Sequence, residues 1–302
     1  MVRPDQAVIV ANQAFAATIA SLLIRDEWHV ATAITVQELN IYPLKSARGI
    51  PKARVRLART GFEWDRHWMV VREDGTFLTQ RTHPLLTRIV PQLNEGELIL
   101  TCEGLEPLLL PLAPRGPARP IRIWKDSCQG LDQGDAAAAW LSRVLGEPLR
   151  LVRMPTTPGR KADPEYAGSN PAPIAFPDAY PVLVCNRASL DELNGRTPEA
   201  LPMERFRPNL VLEGLPPFAE DRIAVIEIGA VTLTLVKPCT RCIIPSTDQR
   251  SGIRGFDPLA VLRTFRFDRE LLGVTFGENA IISRGVGEGL ERGAECRVSY
   301  EN

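Results

Sequence analysis

Several common sources of stability and binding are missing from these 302 residues. The six cysteines, Cys102, Cys128, Cys185, Cys239, Cys242 and Cys296, are too sparse for a disulfide framework. An excess of one charge is missing too: Lys plus Arg and Asp plus Glu each number 36, and the pI is near 6.9. Chains that live on nucleic acid carry a basic surplus, so nucleic acid is not an expected partner, and any anion site must come from local clustering of Arg and Lys. No secretory signal opens the sequence. The apolar stretch Ala14 to Ile24 is shorter than the roughly 20 residues a membrane span requires. The expectation is therefore a cytoplasmic protein with reduced thiols and no membrane partner. Neither a G-x-G-x-x-G nor a Walker-type loop occurs, so a nucleotide cofactor has no motif support. Internal repeats and low-complexity tracts are absent as well.

What is present is ordinary for a globular chain. A hydrophobic share of 44% supplies a core without disulfides, and the length suits one large or two modest domains. Residues 1–33 show no clear pattern and read as an N-terminal extension without fixed structure. From Val36 the character changes to strand. Trp68–Val71 and Thr76–Thr79 flank Asp74-Gly75, a hairpin signal in which both central positions are expected at positive φ. Leu98–Leu100 and Leu108–Leu110, joined through Gly104, form a second hairpin. Residues 36–125 thus read as a small all-β unit.

Helices are expected in three places. Asp135 to Leu145 is Ala-rich and stops at Gly146. Ser189 with Glu192 has capping-box spacing, and Gly195 ends that helix. Asp257-Pro258 is an N-cap and first-turn pair opening Leu259 to Arg263. Seven prolines from Pro155 to Pro181 rule out a continuous helix or central strand and mark an ordered loop or connector. Ile223–Ile228 and Val231–Val236 then flank Gly229-Ala230 as a hairpin. Its second strand alternates apolar and Thr residues, as a half-buried strand should.

That strand leads into Lys237-Pro238-Cys239-Thr240-Arg241-Cys242. Pro238 is expected to end the ladder, leaving both cysteines where a strand stops, a position at which function concentrates. Zinc would need about four ligands and has one Cys pair, with His29, His67 and His83 all distant in sequence. A thioredoxin-like pair would precede a helix, and no helical pattern follows Cys242. An iron–sulfur cluster needs four cysteines at a set spacing. Two readings stay open: a soft metal with one thiolate ligand, its shell completed by a cofactor, or two buried, inert thiols.

A second constellation is cationic. Lys45, Arg48, Arg66, Arg81, Arg207 and Arg241 each stand beside turns or strand ends, where guanidinium groups can take a phosphate bidentately. Ser46 and Asn209 can add neutral donors. Taken singly, each of these cations reads as an ordinary solvated charge. Asp178, which closes the Pro-rich connector, can shuttle protons or simply form a turn.

Read together, these residues resemble the MOSC family, the type of domain that ends molybdenum cofactor sulfurases, preceded by its N-terminal β-barrel partner. The chain is similar to the amidoxime-reducing members and their bacterial relatives over about residues 36–300. The similarity rests on Ile41-Tyr42-Pro43-Leu44-Lys45-Ser46, Asp65-Arg66, Leu78-Thr79-Gln80-Arg81, Phe176-Pro177-Asp178, Phe206-Arg207-Pro208-Asn209 and Cys239-Thr240-Arg241-Cys242. No one of these motifs is specific; their order and spacing are.

The resemblance implies a mixed α+β, β-rich fold: a β-barrel-like N-terminal domain over 34–150, then a MOSC β-barrel domain with short helices over 151–302. It also implies the molybdenum cofactor (molybdopterin), with Cys242 as metal ligand. Asp178 would lie beside the metal, and Lys45, Ser46, Arg66, Arg207, Asn209, Thr240 and Arg241 around the pterin and its phosphate. The activity implied is reduction of N-hydroxylated small molecules, with Cys242 and Asp178 as catalytic residues. Some bacterial relatives add a C-terminal ferredoxin-like domain, and no such motif is found up to Asn302. Electrons are thus expected from a separate protein of ferredoxin, flavoprotein or cytochrome type. The alternative is a cofactor-binding or sulfur-carrier protein with a persulfide on Cys242.

Overall fold

The computed structural model describes residues 33–113, 115–168 and 172–300. The expectation for residues 1–33 falls almost wholly outside that range. The fold is β-rich, with four short α-helices among the described residues, in line with the expected fold class. Its largest element is a nine-stranded sheet. The strand order is Ile50–Lys52, Thr35–Ile41, Leu210–Glu213, Val182–Asn186, Gly273–Arg284, Val231–Thr240, Ile223–Ile228 and Arg297–Tyr300, with Phe267–Asp268 paired to Gly273–Arg284 off that path. Val182–Asn186 and Leu210–Glu213 run parallel. Parallel neighbours need a crossover, and the connection between them includes the helix Arg187–Asn194.

One face of the sheet carries Val36, Leu39, Val184, Leu212, Ile226, Val231 and Leu233, all buried in one apolar cluster. In Val231–Thr240 the buried residues Val231, Leu233 and Leu235 alternate with half-buried ones, which is the period-two pattern read from the sequence. A second core lies in the N-terminal part. The helix Asp135–Leu145 presses Ala137, Trp140 and Leu141 onto Trp68, Val70, Leu98, Leu100, Leu149 and Leu151. Arg150–Arg153 pairs with Trp68–Val71 and Asp126–Asp132, while Thr35–Ile41 joins the large sheet through Leu210–Glu213. Strands from early and late in the chain therefore pair with one another.

Four local expectations need correction. The strand does not stop before Pro238 but runs to Thr240, with Pro238 opposite Glu278. Two features allow it. Register shifts flank the proline on the Gly273–Arg284 side, and pairing with Ile223–Ile228 reaches only to Thr234, so the other edge carries no strand partner at Pro238. At Asp74-Gly75 only the glycine is left-handed, at φ 81°. Arg72 O accepts Gly75 N at 3.0 Å and Asp74 Oδ1 accepts Thr76 N at 2.9 Å, a three-residue loop closed by glycine, not a two-residue one. The second arm then pairs only by single bridges. Ser189 does not cap its helix, because Asn186 does, its side chain accepting Ala188 N at 3.2 Å. Ser189 sits inside, hydrogen-bonded to buried Glu220 at 2.8 Å. The Pro-rich connector is not bare loop either: it holds the paired strands Arg160–Lys161 and Pro173–Ile174 and the helix Pro164–Ala167. Among the described residues, no helix is long and apolar enough to cross a membrane.

Candidate active site

Five strand ends and loops converge on one cleft of about 290 Å³. Lys45 and Ser46 follow the first strand, Arg66 precedes Trp68–Val71, Asp178 precedes Val182–Asn186, Arg207 and Asn209 precede Leu210–Glu213, and Thr240, Arg241 and Cys242 lie at the end of Val231–Thr240. All nine residues that the family resemblance placed at the cofactor line it. Three of them, Ser46, Arg66 and Arg207, hold left-handed backbone at φ 69°, 52° and 58°. Such conformations at non-glycine residues cost energy and gather at functional sites.

The lining is strongly cationic. Lys45, Arg66, Arg81, Arg207, Lys237 and Arg241 face a single carboxylate, Asp178. Lys45, only 5% exposed, donates to Asp178 Oδ1 at 2.5 Å and to Phe176 O at 2.8 Å. Arg81 donates to Asp178 Oδ2 at 3.0 Å. Burial works against ionisation of Asp178, but Lys45 and Arg81 prevail and hold its carboxyl well below the usual range. Arg81 also stands beside the Cys242 thiol.

Behind this front, Arg66 and Arg207 each place a guanidinium 4.3 Å from the centroid of the Tyr42 ring. Arg66 is ion-paired to buried Asp65 and donates to Asn209 Oδ1 at 3.0 Å. Arg207 donates to Ala47 O at 2.8 Å and Gln249 Oε1 at 2.9 Å, and burial pulls its pKa down to about 10. Arg241 reaches Cys239 Sγ at 3.1 Å and Phe206 O at 2.7 Å. Burial raises the Cys239 thiol above its ordinary value, with Arg241 opposing. Asn209 also accepts Leu183 N and donates to Asn40 O, each at 3.1 Å, so its amide clips two strands and orients Arg66.

One cation of the sequence constellation is not in the cleft lining. Arg48 donates to the carbonyls of Gln249 and Arg250 at 3.2 and 2.7 Å. The lining adds Thr79, Tyr180, Lys237, Cys239 and Asn279, which were not assigned to the site from sequence. Lys237 and Cys239 belong to the same run as Cys242, a usable signal. Nothing in the local sequence marks Tyr180 or Asn279; Asn279 arrives through sheet pairing, opposite Leu183 and Lys237.

Residues 33–148 match the MOSC N-terminal beta barrel domain, and residues 171–294 match the MOSC domain. The chain is 32% identical over 280 residues to mitochondrial amidoxime reducing component 2 of Rattus norvegicus, covering 85% of this chain and 83% of that protein. It is 34% identical over 242 residues to the component 2 of Bos taurus, covering 77% and 72%. It is 32% identical over 267 residues to mitochondrial amidoxime-reducing component 1 of Homo sapiens, covering 82% and 78%.

Proposed function

The chain belongs to the MOSC family, joining a MOSC N-terminal β-barrel domain to a MOSC domain, and on that premise we propose that it is a molybdenum-cofactor oxidoreductase reducing N-hydroxylated compounds to amines with electrons from a separate donor protein. The observation that carries this reading is the pairing, in one cleft, of the Cys242 thiol with six cations and a single carboxylate. A thiolate is a soft donor suited to molybdenum, and clustered guanidinium groups suit a phosphate. Arg81 Nη1 and Arg241 Nε are buried without a hydrogen-bond partner among the described residues, so the cleft holds donors an anionic group can use. When bound, the cofactor supplies the two-electron chemistry that removes oxygen from an N–OH group.

The protein's own residues then divide the work. Cys242 ligates the metal. Lys45, Arg66, Arg207 and Arg241 hold the anionic part, with Ser46 and Thr240 as neutral neighbours and Asn209 orienting Arg66. Asp178 is an anion at neutral pH because Lys45 and Arg81 flank it. An ionised carboxylate accepts hydrogen bonds and does not donate them. Asp178 therefore fixes the two cations and receives the N–OH or amine hydrogens, while water delivers the protons.

The test is turnover. Purified from a host that makes the cofactor and supplied with chemically reduced electron carrier, the protein converts benzamidoxime to benzamidine. Cys242→Ser abolishes this without changing the melting temperature. Full activity in that variant removes the assignment, and a persulfide on Cys242 without turnover favours the sulfur-carrier reading.

A further inference from the structure

Trp124 occupies the first position of the two-residue turn between Ala118–Ile123 and Asp126–Asp132, with φ 52°. Hairpin turns that need positive φ normally take Gly, Asn or Asp there. A bulky side chain meets its own backbone in that conformation, which persists only where the surroundings impose it. Few other non-glycine residues share it, and Ser46, Arg66 and Arg207 among them line the cleft.

The indole is 47% exposed, whereas Trp68 and Trp140 are buried. It belongs to none of the apolar core clusters, so core packing does not account for it. Yet three contacts fix it. Phe77 meets it edge-on at 4.8 Å between centroids. The Arg81 guanidinium carbon lies 4.4 Å from its ring centroid. Its Nε1 donates to Asp178 Oδ1 at 3.3 Å. Arg81 and Asp178 both line the cleft, and Arg81 stands beside Cys242. A rigid, half-exposed aromatic surface is thus presented one side chain away from the thiol, next to an acceptor and a cation.

We propose that Trp124 is a specificity-determining residue: its indole is the platform on which the flat, conjugated body of an aryl N-hydroxylated substrate stacks while the N–OH group enters the cleft. The proposal rests on the reductase reading for the identity of the substrate. Stacking needs a π-face on the ligand, so the platform favours an aryl amidoxime over an alkyl one. Because the indole is held in place before binding, little conformational freedom is lost on contact.

The experiment compares wild type, Trp124→Ala and Trp124→Phe with benzamidoxime and acetamidoxime. Dissociation constants are measured by calorimetric titration and KM and kcat by turnover. Trp124→Ala weakens benzamidoxime binding about five- to tenfold, the size of one aromatic contact, and changes acetamidoxime less than about twofold. Trp124→Phe, which keeps a ring but lacks Nε1, restores most of the difference. Equal losses for both ligands in Trp124→Ala would show that the indole only holds Arg81 and Asp178, and would overturn the proposal. So would a wild type without preference for the aryl ligand. The expected binding pattern without any turnover would instead sink the reductase reading and leave the platform standing.

Discussion

His67 makes the stability of this fold depend on pH within a defined window. Its imidazole is 8% exposed, and both ring nitrogens are buried without a hydrogen-bond partner among the described residues. Burial first, and then the nearby Arg153 guanidinium, pull its pKa from 6.5 down to about 4. In the unfolded chain the ring takes a proton as pH falls through 6.5; in the folded chain it stays neutral until about pH 4. The unfolded state therefore binds more protons across that interval, and stability declines as pH drops, by about 1.4 kcal/mol per unit in its middle. Between pH 7.5 and 4.5 the loss from this one group is about 2.5 kcal/mol. For a chain of this size that is about 4–5 °C in melting temperature. His67→Gln cannot titrate there. Urea unfolding of both proteins at the two pH values isolates the contribution, because the carboxylates cancel in the difference. The variant loses about 2.5 kcal/mol less than the wild type on acidification. Parallel pH profiles would refute the buried, neutral imidazole.

Two further outcomes follow from named contacts. Gly277, at φ 75° in the sheet's central strand, faces Val182–Asn186 so closely that a Cβ would lie 2.6 Å from Cys185 Sγ and 2.7 Å from the Val184 carbonyl oxygen; Gly277→Ala costs at least about 2 kcal/mol, and an unchanged melting curve would show that the strands can part. Asp178→Asn leaves buried Lys45 and half-buried Arg81 without their shared anion; with the carboxylate side chain 46% exposed, the stability cost is about 1–2 kcal/mol. Turnover, measured with benzamidoxime, falls by at least about tenfold because Lys45 and Arg81 lose the group that positions them.

The sequence made the outline legible wherever a local signal decides structure. The helix Asp135–Leu145 ends at left-handed Gly146 as its spacing required, and Asp257 caps Pro258–Leu262 through Leu259 N at 3.1 Å. The alternation from Val231 to Leu235 declared a buried face. Where the deciding partner was remote, the reading slipped. Pro238 stays in its strand because pairing with the neighbouring strand Ile223–Ile228 reaches only to Thr234, a fact outside the local window. Ser189 was free to leave the capping role because Glu220, thirty-one positions away, takes its hydroxyl and Asn186 caps instead. The residues assigned to a site share one cleft, and how each is held there comes from packing. Asn209 braces Arg66, Arg48 binds backbone carbonyls elsewhere, and Trp124, with no motif around it, joins Asp178 only in three dimensions.

Uptake of molybdenum by the cleft through Cys242 is the property to measure first. Elemental mass spectrometry on protein purified from a cofactor-producing host gives the metal per chain, for wild type and for Cys242→Ser. Near-stoichiometric molybdenum in the wild type, with a marked fall in the serine variant at unchanged stability, is the predicted result. Wild-type protein from such a host without molybdenum, or a serine variant that retains it in full, would contradict the assignment of this cleft.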